Sequence, residues 1–265
     1  MSKVLHYEYT APSGGGPTLL LIHPLGGDLH FWEPLVHLLA GKAGCLRCDL
    51  RSAGRSQQVG RPVTLEDHAR DLEDLRLHLK LNQVIPVGCA IGAMTAAAYA
   101  ARQPERCPAL ILSNPTDKTQ PQARQMLGER ARQVIEKGMA AILPDAVDKA
   151  FHGQPRDLRY QQYLDRFAAQ DPDAYAQSIL GILDADVTSD LQSLRCPALV
   201  VCATLDLLLP PNHAQAVHAL VPGAQWARLE QAAHFAPLQQ PELFAQLTLD
   251  FLGSKGLLAT GLKTQ

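Results

Sequence analysis

The chain has 265 residues, is 46% hydrophobic, and carries 24 Lys and Arg against 26 Asp and Glu, a formal net charge of −2. Such a length buries one substantial core with room for an insertion. The near-neutral balance excludes a strong pull toward nucleic acid or an anionic membrane, and no apolar run reaches the roughly 18–20 residues that a membrane-crossing helix needs.

The opening Met1-Ser2-Lys3-Val4-Leu5-His6-Tyr7-Glu8-Tyr9 alternates like an edge strand, placed near 4–9. It lacks a signal-peptide apolar region, so a cytoplasmic location is expected. Thr18-Leu19-Leu20-Leu21-Ile22-His23 is apolar without alternation, the mark of a strand buried on both faces. It runs into His23-Pro24-Leu25-Gly26-Gly27 and then a helix near 30–40 with Phe31, Trp32, Leu35 and Leu38 on one face. Gly26 and Trp32 are candidate substrate contacts; packing against the adjacent helix is the alternative for Trp32. A strand near 44–49 holds Cys45 and Cys48, whose spacing in a strand points them to opposite faces. No second pair or His cluster completes a zinc site. The cysteines read as core thiols.

A helix near 64–80 precedes the most informative stretch, Val84-Ile85-Pro86-Val87-Gly88-Cys89-Ala90-Ile91-Gly92-Ala93-Met94. It is a short apolar strand, a tight glycine-flanked turn and an Ala-rich helix near 91–103. That context is what a G-x-S-x-G nucleophile elbow requires. Gly88 and Gly92 stand where the flanking glycines belong, but the nucleophile position holds Ala90. Pro86 sits inside the strand, where its missing N–H is expected to cost a ladder bond. Cys89 is the last strand residue, and its thiol is expected to point away from the site.

A strand near 109–113 ends in Ser113-Asn114-Pro115. From there to Leu194 no strand is evident. Helical stretches fall at 122–137, 139–150, 156–169 and 173–183, broken by Pro121, Gly138, Gly153 and Pro172. This is expected to be a helical cap over position 90. Strands return near 198–203 and 225–229, with helices near 213–220 and 241–252. Asp206 follows the first of these strands, on the edge where open α/β sheets place their sites. His234 follows the second. Position 90, Asp206 and His234 thus occur in the chain order nucleophile, acid, base, each after its own strand. The alternation of strands and helices predicts an α/β architecture, a mostly parallel sheet flanked by helices. The expected division is a core of 1–114 and 195–253, a cap of 115–194, and a mobile tail of 254–265.

With these motifs in place, the chain resembles the α/β-hydrolase superfamily, and within it the 3-oxoadipate enol-lactonase-like hydrolases. The matching stretches include His23 to Trp32, Asp49 to Ser56, the elbow into Met94, Pro104-Glu105-Arg106, Leu112 to Pro115, Ala232-Ala233-His234 and Gln240-Pro241-Glu242. Ser52 departs from the pattern, standing where the family commonly has Gly, and Ala90 replaces the nucleophile serine. The resemblance implies an α/β-hydrolase fold and a small ester or lactone substrate, with a carboxylate from aromatic-compound breakdown as one expected form. It also implies an oxyanion hole from the backbone N–H groups of Leu25 and Ile91. A carboxylate would be held best by arginine. Arg124, Arg130, Arg132, Arg156, Arg159 and Arg166 all lie in the cap, most of them expected on its solvated surface. The Asp49–Ser56 loop, with Arg51, is assigned structural work, and His23 a hydrogen bond within the oxyanion loop.

Three accounts of Ala90 stay open: a Ser-to-Ala change that leaves the rest of the machine intact, a natural non-hydrolytic binding protein, or an enzyme using only His234 and Asp206 as acid and base. The last would be a lyase or a cofactor-free oxygenase. No metal spacing among the ten histidines and no G-x-G-x-x-G cradle are present, so neither a metal nor a nucleotide cofactor is expected. A monomer or homodimer acting on a small molecule is the expected form.

Overall fold

A computed structural model describes residues 5–258 of the chain. The strands are β1 (Tyr7–Thr10), β2 (Thr18–Ile22), β3 (Gly44–Cys48), β4 (Ile85–Cys89), β5 (Leu110–Ser113), β6 (Ala198–Ala203) and β7 (Gln225–Leu229). They form one sheet in the order β1-β3-β2-β4-β5-β6-β7. β1 is antiparallel to β3, and every other pairing is parallel. β1 starts later than the alternation suggested and is half-exposed, as an edge strand should be. The strands from β2 to β6 are buried along their whole length.

The two-residue period of a strand sends alternate side chains to opposite layers. Leu19, Leu21, Val87 and Ile111 face one layer, with α1 (Glu33–Leu39) and α11 (Pro241–Ser254). Leu20, Ile22, Leu112 and Val200 face the other, with α2 (Leu65–His78), α3 (Ile91–Arg102) and α9 (Pro211–Leu220). Cys45 and Cys48 fall in opposite layers, as their spacing predicts. All six cysteines are free thiols. Pro86 lies opposite Leu20 in the ladder with β2, while the register with β5 begins at Val87.

Between β5 and β6 lie α4 (Pro121–Lys137), α5 (Asp145–Ala150), α6 (Leu158–Ala168), α7 (Pro172–Leu180) and α8 (Thr188–Ser193). One expected helix is not continuous. Residues 139–141 form a 3-10 turn, and α5 begins only after Pro144, which has no N–H to continue a helix. α8, and the one-turn α10 (Ala236–Gln239) behind His234, carry too few residues to show a period. α11 reaches Ser254. Beyond it the Leu257 N–H bonds the Leu252 carbonyl at 2.9 Å, and Leu257 and Leu258 pack on the core. The expected mobile tail therefore starts no earlier than residue 259, and 259–265 lie outside the described residues.

Candidate active site

The sequence Gly88-Cys89-Ala90-Ile91-Gly92 makes a bend in which Ala90 has φ 54° and ψ −115°. A non-glycine residue there carries about 1–3 kcal/mol of backbone strain and needs its surroundings to enforce it. The surroundings do so. The Ala90 N–H is tied to the Ser113 carbonyl at 3.0 Å. A Cβ on Gly88 would stand 2.1 Å from the Gly92 oxygen, and one on Gly92 2.3 Å from the Ile22 oxygen. The start of α3 lies so close to β4 on one side and to the end of β2 on the other that both positions must be glycine. The bend is a nucleophile elbow in all but its side chain, which is a methyl group.

Asp206 and His234 come together from loops after β6 and β7. His234 Nδ1 lies 2.9 Å from Asp206 Oδ2 and 3.1 Å from Oδ1. Asp206 Oδ1 also accepts the N–H groups of Leu208 and Leu209, each at 2.9 Å. Its Oδ2 accepts Asn114 Nδ2 at 2.8 Å. Burial opposes the charged carboxylate, but the His234 imidazole, with these donors, holds Asp206 below the usual carboxylate range. With Nδ1 committed to the carboxylate, Nε2 is the nitrogen left for chemistry. The His234 backbone is anchored by its N–H to the Ala150 carbonyl at 3.2 Å. Gln239 braces the same turn, accepting the Ala233 N–H at 2.8 Å and donating to Ala150 at 2.9 Å.

Asn114 had no assigned role in the sequence reading. It adopts φ 50° directly after β5, and its amide also donates to the Ala233 carbonyl at 3.1 Å, joining the acid loop to the base loop. The polar, turn-forming Asn at a strand's carboxyl end was the available signal.

His23 organises the loop after β2. Its Nδ1–H donates to the Pro24 carbonyl at 2.8 Å, and its Nε2 accepts the Leu50 N–H at 2.9 Å. The Gly27 N–H meets the same Pro24 carbonyl at 2.9 Å. Two bonds on that oxygen fix the peptide plane whose other end is the Leu25 N–H. Burial pushes the His23 pKa down, so the ring stays neutral and serves as a brace. The Ile91 N–H opens α3, where the first amides have no intrahelical acceptor. The neighbouring Asp49 loop is braced too. Ser56 Oγ donates to the Asp49 carbonyl at 2.6 Å, and Arg51 Nε pairs with Asp71 at 2.7 Å.

Ala90, Leu25, Ile91 and His234 all line one cavity of about 450 Å³. Residues between β5 and β6 supply much of its opposite wall, including Ala123, Met126, Leu127 and Arg130 of α4, Phe167 and Tyr175. These α4 residues recur at three- and four-residue steps, a helical stripe that Arg130 continues. The formal charges on the lining belong to Lys118 and Arg130; no Asp or Glu lines it. Among the described residues neither cation forms a salt bridge, although Lys118 bridges Asp186 through the backbone and helps to hold that carboxyl below the usual range. Arg124, Arg132 and Arg156 are exposed, and Arg159 and Arg166 pair with Asp157 and Asp28.

Two expected substrate contacts are corrected. Trp32 is fully buried, T-shaped against Phe31 at 4.9 Å and 6.4 Å from Phe244 of α11; the helix turns that face into the core. Gly26 lines a small space of about 20 Å³ beside the loop after β2 instead of the main cavity. Cys89 is buried, with Sγ 3.5 Å from the His234 carbonyl and no place on the cavity wall. Burial pushes its thiol well above the ordinary range, which removes it as a substitute nucleophile.

Residues 17–241 match the alpha/beta hydrolase fold family. The chain belongs to that family. It is 26% identical to a candidate carbamate hydrolase, RutD, of Caulobacter sp. (strain K31), over 94% of this chain and 96% of the relative. A thermophilic esterase from Thermogutta terrifontis, solved with malate bound, superposes with a TM-score of 0.88 at 26% identity, covering 95% and 93% of the two chains. The enol-lactonase from Burkholderia xenovorans LB400 gives 0.87 at 27%, covering 94% and 96%.

Proposed function

We propose that this α/β-hydrolase is built to cleave a small carboxylic ester or lactone that itself carries a carboxylate, and that Ala90 leaves the chain impaired in turnover. The observation that carries the reading is His234, on the same cavity as the strained elbow and backed by a buried, fully hydrogen-bonded Asp206. With a serine at 90, His234 Nε2 would take the hydroxyl proton as the oxygen attacks the acyl carbon, then return it to the leaving group. The Leu25 and Ile91 N–H groups would hold the oxyanion, each worth roughly 3–4 kcal/mol. The methyl of Ala90 offers no oxygen, so no acyl-enzyme can form there. His234 can still take a proton from a water that attacks the substrate directly.

The carboxylate specificity is supported by Arg130 and Lys118 on a wall without acidic residues. The esterase neighbour solved with malate, a dicarboxylate, points the same way. A second reading, proton abstraction by His234–Asp206 without hydrolysis, is favoured by the completeness of the pair beside a side chain that cannot form a covalent bond.

The Ala90→Ser variant tests the first reading. It should form an acyl-enzyme visible by mass spectrometry and raise turnover of nitrophenyl acetate or small lactones by up to about 10⁶. No acyl-enzyme and no turnover would refute it; proton abstraction by the unaltered chain would favour the second. In the Ala90→Ser background, Arg130→Met should raise KM for a carboxylate-bearing ester at least tenfold and for its neutral analogue less than twofold. Faster turnover of neutral esters than of their carboxylate analogues would refute the acidic substrate.

A further inference from the structure

The end of α6 and the turn just after it grip the loop after β2 at three points. Arg166 Nε lies 3.3 Å from Asp28 Oδ2. Asp28 Oδ1 accepts the His30 N–H at 2.9 Å, which ties the ion pair to the turn that follows the loop. Gln170 Nε2 donates to the Gly26 carbonyl at 2.8 Å and reaches the Gly27 carbonyl at 3.5 Å. Between them sits Phe167, whose ring would be 2.7 Å from a Cβ on Gly26. Gly26 has φ 77°, so the residue under the ring is glycine on conformational and steric grounds together. Nothing in the acid–base pair requires these contacts.

We propose that Gln170 and Arg166 are positioning residues for the oxyanion loop, so that the helical insert fixes the Leu25 N–H as well as covering the cavity. The proposal rests on the reading of Leu25 as an oxyanion donor. Gln170 holds the carbonyl of the residue after the donor, while His23 and Gly27 hold the carbonyl before it. The donor is therefore pinned from the core on one side and from the insert on the other. Lifting the insert would break all three contacts at once, so a formed oxyanion hole requires a seated insert. Met126 and Leu207 line the cavity yet are 52% and 55% exposed, which places an opening between α4 and the loop after β6. Substrate entry there leaves α6 in place.

Hydrogen–deuterium exchange on the chain as it stands provides the first test. Gln170→Ala and Arg166→Ala should each speed exchange of the amides from Leu25 to Phe31 at least tenfold. Arg166→Lys should restore the parent rate, and the Asp206 loop should not change. Unchanged exchange in both alanine variants would overturn the proposal. The second test uses the Ala90→Ser background, where Gln170→Ala should lower kcat tenfold or more with KM within twofold. A raised KM at constant kcat would overturn it, because Gln170 would then only shape the substrate pocket. If Ala90→Ser itself shows no turnover, the ester-hydrolysis reading fails, and the exchange measurement alone decides the grip.

Discussion

A methyl group on residue 92 would sit 2.3 Å from the carbonyl oxygen of Ile22, and there is no flexible side chain at that contact to move aside. Gly92→Ala should therefore cost at least about 3 kcal/mol, seen as a lower midpoint in urea unfolding; a loss below about 1 kcal/mol would mean that α3 approaches the end of β2 less closely than described. Gly88 and Gly92 were legible in the sequence because a motif spacing is a local property. Ser52 was legible as a departure and is now explained in part: it sits at φ 63°, a conformation that glycine adopts without strain, and its hydroxyl takes the Val59 N–H at 3.3 Å. Asn114 and Gln170 were not legible as functional. Their roles are hydrogen bonds to residues 92 and 144 positions away along the chain.

At the scale of the element, α4 shows how one helix can be read correctly in place and incompletely in meaning. Its bounds follow from Pro121 at the start and Gly138 at the end, both visible in the sequence. Which of its arginines faces the cavity depends on the rotation of the helix over the sheet. Gly128 lies within it, with nothing within 4 Å of where a Cβ would be. Gly128→Ala should stabilise the protein by about 0.5–1 kcal/mol by removing unfolded-chain freedom and raising helix propensity. The expected rise in Tm is about 2 °C by calorimetry; a fall would show that the position is crowded. The same substitution thus has opposite signs at 92 and 128, and the difference lies in the packing around each element. The helix expected over 139–150 failed for a local reason, Pro144, that was open to reading.

Across the whole molecule, His68 supplies a pH dependence. It is buried beside the loop after β2, and burial, with the neighbouring His23, pushes its pKa down to about 3 from 6.5. In the unfolded chain it takes a proton as pH falls through about 6.5, while the folded protein leaves it neutral until about 3. The unfolded state therefore binds more protons between those values. The contribution to stability is fully present above pH 6.5 and is lost as pH falls toward 3, at up to about 1.4 kcal/mol per pH unit. Urea unfolding at pH 7.5 and pH 5 should show a drop that is about 1–2 kcal/mol smaller in His68→Leu than in the parent. Equal drops in the two proteins would remove His68 as the cause.

Sequence alone determined the α/β layering, the near-positions of all seven strands, the elbow at 88–92 and the order of 90, 206 and 234. Each of these is written in short-range periodicity or spacing, which the chain carries wherever it goes. Tertiary structure decided that Trp32 belongs to the core, that Arg130 lines the cavity, that Asn114 completes the setting of Asp206, and that Arg166 and Gln170 contact the loop after β2. These depend on which face of one element meets which face of another, and a one-residue rotation reverses such a contact without altering the local pattern.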